Sequence, residues 1–279
     1  MFDGTRFDLH MHSLRSDGRY PPEEVLARCA RGRLDVVALT DHDLPNELAI
    51  GPHQIDGHTV HVVGGAEVSG MHATLEGGRE QHLLVYFPGE VPEGFRAFCR
   101  AQCRERAVRY AAAVDNLALP GIAAPDDAAR NGDASLTRHH LARQLVTAGH
   151  VPSLRDAFAR FLGESHGRVP PLSLSFVDAI RIARSFGGVT SWAHPPVALL
   201  EAYLPAFAAA GLDAIEAIRP SVGSDERRRY RNAARKYGLV FTGGSDWHGW
   251  PGDEDLGLFR VEARELGPFL DLLATRRAA

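Results

Sequence analysis

The sequence is short of the features that mark several protein classes. Its 279 residues include only three cysteines, Cys29, Cys99 and Cys103. An odd number with no C-x-x-C pair argues against a disulfide framework and against a thiolate zinc site. Cys99 and Cys103 stand one helical turn apart and read as packing residues. No apolar run approaches the roughly 18 residues of a membrane span, and the opening MFDGTRFDLH lacks a charged-then-apolar leader. The expectation is a protein of the reducing cytoplasm with no membrane association. Cations are not in excess: 31 Lys and Arg against 35 Asp and Glu give a formal net charge of -4. That argues against a nucleic-acid wrapper and makes any anion selectivity local. The chain also lacks a fixed-period repeat and a low-complexity tract. Ser245 in GGSDWHG has no G-x-S-x-G elbow around it, which argues against a serine hydrolase.

What is present is an alternation of short β-rich runs with amphipathic stretches, the pattern of repeated βα units. Strands are predicted near 6–11, 34–40, 59–67, 82–87, 188–193, 213–218 and 239–243, and helices at 21–31, 176–186, 198–210, 224–237 and 264–275. Strands followed mostly by helices predict an α/β fold, a closed parallel (βα)7 TIM-like barrel. Between Pro92 and Pro171 the alternation stops and the pattern turns helical, over Glu93 to Leu119, Thr137 to Ala148 and Leu154 to Leu162, with an exposed loop at 123–136. The expected organisation is a barrel from residues 1–91 and 172–279, with residues 92–171 as a mostly helical insertion capping the site.

In such barrels chemistry sits where strands run out into loops. His10 and His12, two apart on a strand, project to one side, with Asp17 close behind. The second strand is followed by Asp41, His42 and Asp43, the third by Glu67; the fourth opens with His82, the fifth ends at His194, and the seventh at Asp246 and His248. One histidine pair on a strand is weak evidence. Six of the 14 histidines falling at strand ends is hard to obtain by packing alone. Imidazole and carboxylate without thiolate suit zinc, manganese or iron, and so many donors imply more than one ion. Asp43 reads as a turn residue or a partner to a ligand as readily as a ligand itself, and is left out of the ligand set. His53, His58, His61 and His72 share no carboxylate pattern, and the DERRRYR run at 225–231 reads as a solvated helix face.

With the motifs DLHMHS, ALTDHD, GAEVS, AHP and GSDWH in order, the chain resembles the polymerase and histidinol phosphatase (PHP) superfamily. The stretch LTRHHLARQLVTAG is similar to the Arg-x-His helix of the branch of stand-alone phosphoesterases acting on nucleoside 3',5'-bisphosphates or short RNA from the 5' end. The resemblance implies a distorted seven-stranded barrel holding two or three divalent transition-metal ions. It implies as ligands His10, His12, Asp17, His42, Glu67, His82, His194, Asp246 and His248, with Glu67 bridging two ions. Arg138 and His140 would match the family's phosphate-contacting pair; Arg168 either contacts phosphate or covers the insertion's edge. His139 departs from the family pattern, as do the loop 44–57 and the pair Gly167-Arg168.

Phosphate esters resist hydrolysis because an anionic nucleophile must approach an anionic phosphorus. Clustered metals answer this by lowering the pKa of a bridging water and binding phosphoryl oxygens. Arg138 would add a planar fork for two phosphate oxygens, and His140, His194 or Asp246 would deliver the proton to the leaving group, His140 being preferred because it is not a ligand. The expected activity is a metal-dependent phosphoesterase on a small phosphorylated substrate, a nucleotide or a short RNA, with no protein partner evident. The alternatives are a histidinol-phosphate-type or other small-metabolite phosphatase and a non-catalytic, metal-stabilised PHP binding module.

Overall fold

The computed structural model describes residues 4–74, 77–220 and 222–278. Its strands form two five-stranded sheets. In the first, β1 (Arg6–Met11), β2 (Val36–Leu39) and β4 (His58–Val62) are parallel, while β3 (Gly51–Ile55) and β10 (Val261–Glu262) flank them antiparallel, in the order β10-β1-β2-β4-β3. In the second, β5 (Gly64–Thr74) and β6 (Gly77–Phe87) form a long antiparallel hairpin, β6 pairs antiparallel with β7 (Val189–Trp192), and β8 (Ala214–Ile218) and β9 (Val240–Gly243) continue parallel to β7.

This differs from the single parallel barrel expected. The run predicted at 59–67 breaks at Val63, so β4 lies in one sheet and β5 in the other. The stretch 44–57, read as a loop, contains β3, which returns through Asp56 (φ 49°) and Gly57 (φ 76°). That Asp-Gly pair, both residues left-handed, is the two-residue hairpin turn whose twist matches the flanking strands. The sheets are joined at their chemically loaded ends. Met11 bridges Trp247 and His42 bridges Glu67. Asp246 N donates to His10 O at 2.9 Å, and Asp43 N to Glu67 O at 2.8 Å.

The helices bury single faces against these sheets. In α1 (Pro22–Arg31) a proline opens the first turn, Glu23 and Glu24 precede Arg28 and Arg31 along the helix dipole, and Val25, Leu26, Cys29 and Ala30 face the first sheet's core. Helices α6 (Phe176–Ser185), α7 (Leu200–Ala209) and α8 (Ser224–Tyr237) cover the second sheet, and α9 (Ala263–Ala278) closes a third core through Leu266 and Phe269. Between β6 and β7 the described residues contribute helices alone: α2 (Glu93–Leu117), α3 (Asp127–Asn131) within the stretch expected as loop, α4 (Arg138–Thr147) and α5 (Leu154–Ala157), which runs into a π-helical turn at Phe158–Leu162. The long α2 spans two cores. Its Phe95 and Cys99 pack with the second sheet, whereas Tyr110, Ala113 and Leu117 pack with α4 and α5. All three cysteines are buried and free. Among the described residues no helix is long and apolar enough to cross a membrane.

Candidate active site

The site grows out of strand ends. β1 sends His10 and His12 to one side, both fully buried, because residues two apart share a face. Asp41, after β2, accepts from Ser13 N at 2.8 Å and from the Ser13 and Ser16 hydroxyls at 2.6 and 2.5 Å, folding the loop after β1 so that Asp17 returns beneath His12. Gly244, after β9, lets the backbone pass against His10: a Cβ there would meet His10 atoms at 2.4 to 2.9 Å. Replacing Gly244 by alanine is therefore expected to destabilise the fold by about 1–3 kcal/mol, readable as a lower midpoint in denaturant unfolding; an unchanged midpoint would show that this close approach does not matter.

Nine side chains converge in four overlapping groups whose ligand-type atoms lie within 4.8 Å of one another: His12, Asp17, His42 and His248; His10, His194 and Asp246; His10, His12 and Glu67; His42, Glu67 and His82. Glu67 is the hub. Its Oε1 lies 3.4, 3.2 and 3.1 Å from His10, His82 and His194, and its Oε2 lies 3.4 and 2.9 Å from His12 and His42. These are all nine residues named as ligands from the resemblance.

The donor set fits divalent cations. Both Asp17 carboxylate oxygens, Glu67 Oε2 and His42 Nδ1 are buried without a hydrogen bond, although His42 Nδ1 and Glu67 Oε2 stand 2.9 Å apart. Imidazole nitrogens also face each other, His10 Nε2 to His12 Nε2 and His82 Nδ1 to His194 Nε2, both at 3.2 Å. Buried polar atoms packed this closely are costly unless a proton or a metal cation lies between them. The electrostatics agree. Burial opposes charge on Glu67 and Asp17, but the surrounding imidazoles outweigh it and hold both carboxyls well below their usual range. Burial likewise opposes charge on His82, yet Glu67 and Glu80 push it up to about 10, whereas burial prevails at His42 and brings it down to about 4.

The backbone is bent to present these groups. Asp43, His194 and Asp246 all lie in the left-handed region, at φ 51°, 31° and 57°, a conformation costing roughly 1–3 kcal/mol per non-glycine residue and held only where surroundings over-determine it. His194 is fixed by its N–H donating to Glu216 Oε2 at 2.8 Å. Asp43 joins none of the four groups. It accepts from Ser69 N at 2.9 Å and pairs with the buried guanidinium of Arg106 on α2, whose Nη2 reaches Ser69 Oγ at 2.5 Å.

A cavity of about 420 Å³ opens over the cluster, reached by Asp17, His42, Glu67, His82, His194, Asp246 and His248 and, from the helical region, by Arg138, His139 and Phe158. Arg138 arrives where it was expected, loosely facing Glu80 at 3.5 Å and Glu164 at 3.7 Å. The structure does not bring His140 there. Thr137 caps α4, and His140 closes the cap as acceptor from Thr137 N at 3.1 Å, burial bringing its imidazole down to about 4. Successive helical residues are rotated by about 100°, so Arg138 and His139 face the cavity and His140 turns away. Arg168 is also absent from the lining. Its guanidinium lies 5.6 Å over the Phe161 ring and reaches Asn116 O at 3.4 Å, so it covers the edge of the helical region.

The sequence motifs miss other residues of the site. Glu216, fully buried in β8, meets His10 Nδ1 at 2.9 Å and orients that ring as well as the His194 backbone; a lone carboxylate inside an apolar strand was its signal. Glu80 shares the strand face of His82 and lies 2.8 Å from Arg109. Arg219 comes directly after β8 and lines the cavity.

No family model matches the chain. It is 31% identical over 264 residues to the phosphoribosyl 1,2-cyclic phosphate 1,2-diphosphodiesterase of Eggerthella lenta, covering 92% of this chain and 99% of that protein. It is 31% identical over 259 residues to the 3',5'-nucleoside bisphosphate phosphatase of Chromobacterium violaceum, covering 89% of each. It is 28% identical over 253 residues to the 5'-3' exoribonuclease Rnm of Escherichia coli, covering 87% and 85%. Among solved structures, an amidohydrolase from Chromobacterium violaceum with bound sulfate and no metal superposes with a TM-score of 0.74 at 26% identity, over 97% of this chain and 96% of that one. Five sequence motifs in order, a donor set suited to divalent cations and full-length relatives that all cleave phosphate esters lead to one assignment: the chain belongs to the PHP superfamily of metal-dependent phosphoesterases, in the branch that holds nucleoside bisphosphate phosphatases and 5'-3' exoribonucleases.

Proposed function

We propose that this phosphoesterase hydrolyses terminal phosphate esters of small nucleotides, a nucleoside 3',5'-bisphosphate or the 5' end of a short RNA. The observation that carries the reading is the convergence of nine metal-type donors in one cluster, seven of which open together with Arg138 onto a cavity of about 420 Å³. That is room for a nucleotide rather than for continuous duplex. The relatives named for nucleoside bisphosphates and for 5'-3' cleavage of RNA support the same substrate class.

On this reading His10, His12, Asp17, His42, Glu67, His82, His194, Asp246 and His248 would hold two or three ions of manganese, zinc or iron, Glu67 belonging to two of the four donor groups. When bound, such ions supply Lewis acidity toward phosphoryl oxygens and make water a nucleophile near neutral pH. The chain's own groups do the rest. Arg138 presents its fork to the scissile phosphate. Proton delivery falls to a group that reaches the cavity, which His194 and Asp246 do and His140 does not. His139 and Phe158, ring centroids 5.0 Å apart, form a wall against which a base or sugar packs. The seven strands β1, β2 and β5 to β9, closed through the Met11–Trp247 and His42–Glu67 bridges, serve as the distorted barrel. Residues 92–171 act as the insertion that caps it.

The test is turnover of a nucleoside 3',5'-bisphosphate, a five-nucleotide RNA and a circular single strand, each at low and high salt. The first two are expected to be cleaved from an end with weak salt dependence, because few phosphates are contacted. Efficient cutting of the circle, or a salt slope of many phosphate contacts, would overturn the end-acting reading.

A further inference from the structure

Asp17 shares a donor group with His12, His42 and His248, and its backbone carbonyl is held from two sides. Arg143 Nη2, on α4, donates to Asp17 O at 2.6 Å, and Trp250 Nε1, from the loop after β9, donates to the same oxygen at 2.8 Å. The two donors also hold each other. The Arg143 guanidinium carbon lies 3.9 Å from the centre of the Trp250 ring, a cation-π stack. Asp253 Oδ2 accepts from His248 N and from Trp250 N, both at 3.1 Å, so Trp250 shares its turn with a donor of the same group as Asp17. Among the described residues that line the cavity neither Arg143 nor Trp250 is found.

A carbonyl oxygen has two lone pairs. With both taken by donors from separate elements, the Asp17 peptide is held against rotation and the carboxylate it carries is fixed in direction. A guanidinium stacked on an indole is itself kept flat, so its fork is aimed at that oxygen. Arg143 also stands five residues after Arg138, about 140° round the helix, so α4 turns Arg138 to the cavity and Arg143 to the rim of the barrel. We infer that Arg143 and Trp250 are a positioning pair: clamped on the Asp17 carbonyl, they hold its carboxylate among His12, His42 and His248 and tie that donor group to the helix that carries Arg138. This rests on the metal reading of the site and adds to it two residues that touch neither substrate nor ion. The loop after β1 has further ties to the helical region, Ser135 N to Arg15 O at 2.9 Å and Arg15 Nη2 to Asp133 O at 3.3 Å, so the fold does not hang on Arg143 alone.

The experiment strips the full chain by chelation and dialysis, then titrates it with zinc(II) against a competing chromophoric chelator, with a circular dichroism spectrum and a denaturant midpoint recorded for every variant. Arg143→Ala is expected to weaken the binding of one zinc ion per chain by about 10- to 100-fold, as for loss of a group that orients a ligand, and to leave the remaining zinc in place. Arg143→Lys should recover part of the loss, because an ammonium still donates to the carbonyl but cannot stack as a plane. Trp250→Phe keeps the ring face and removes the N–H, so its loss should be smaller. The double variant Arg143→Ala with Trp250→Phe should lose less than the product of the two single losses, since the pair acts as a unit. Arg138→Ala, on the same helix but outside the clamp, should take up zinc as the wild type does. If Arg143→Ala does not fold, Arg143→Lys with Trp250→Phe carries the same cycle. Unchanged zinc affinity in the Arg143 variants, even with a lower unfolding midpoint, or single losses that simply multiply in the double variant, would overturn the pair while leaving the metal reading intact. A wild type that takes up no zinc would overturn the metal reading and the pair with it.

Discussion

Glu67→Ala is expected to abolish phosphate release, lowering activity roughly 10³-fold or more, since a group that organises developing charge in a dry site is worth that much. Among the described residues no other side chain reaches so many of the donors: its two oxygens lie 2.9 to 3.4 Å from five imidazoles. Removing it takes from His10, His42 and His82 one of the negative charges that offset their burial and deprives two groups of a donor at once. The variant should purify with fewer ions per chain. Phosphate release, elemental analysis and a circular dichroism spectrum together check this; a folded variant with wild-type turnover would show that Glu67 is dispensable.

Arg138→Ala should act differently, reducing kcat/KM by about 2–3 kcal/mol, on the order of 100-fold, as for loss of a partly desolvated charge-assisted contact. The ions should stay in place. The guanidinium lies on α4, belongs to none of the four donor groups, and is loosely shared between Glu80 and Glu164 at 3.5 and 3.7 Å. Glu80 keeps Arg109 and Arg106 when Arg138 is removed, so the loss is of substrate binding rather than of an internal ion pair. An unchanged rate on phosphate esters would remove Arg138 from the mechanism.

Most of the metal-type cluster was legible because its members sit at or just past strand ends, where parity and position are fixed by local sequence: His10 and His12 by their spacing of two, His194 and Asp246 by the runs that precede them; Glu67 and His82 instead lie inside β5 and β6, which run longer than the predicted strands. The architecture was less so. The break at Val63 divides one predicted strand between two sheets, and its marker, the Gly64-Gly65 pair directly after it, reads as part of the strand. The β3–β4 hairpin did carry a signal, Asp56-Gly57 between alternating residues, masked because the strands flanking it are short and polar. The antiparallel β5–β6 pairing depends on partners far along the chain and left only two β-rich runs to read. At α4 the motif named the right segment but not its phase: Thr137 as cap sets which of Arg138, His139 and His140 faces the cavity, and the cap consumes His140. Leu154 to Leu162 reads as one helix, yet it changes from α to π at Phe158, a change of hydrogen-bond register that composition does not encode. Glu216 and Arg219 are harder to read because β8 carries no imidazole to mark it as part of the site.

The most direct measurement of the central claim is elemental analysis of the purified protein coupled to phosphate release before and after chelation and dialysis. Two or three transition-metal ions per chain, activity falling below about 1% when they are removed, and recovery on re-addition of manganese, zinc or iron are the predicted results. Full activity in the metal-free protein would contradict the account.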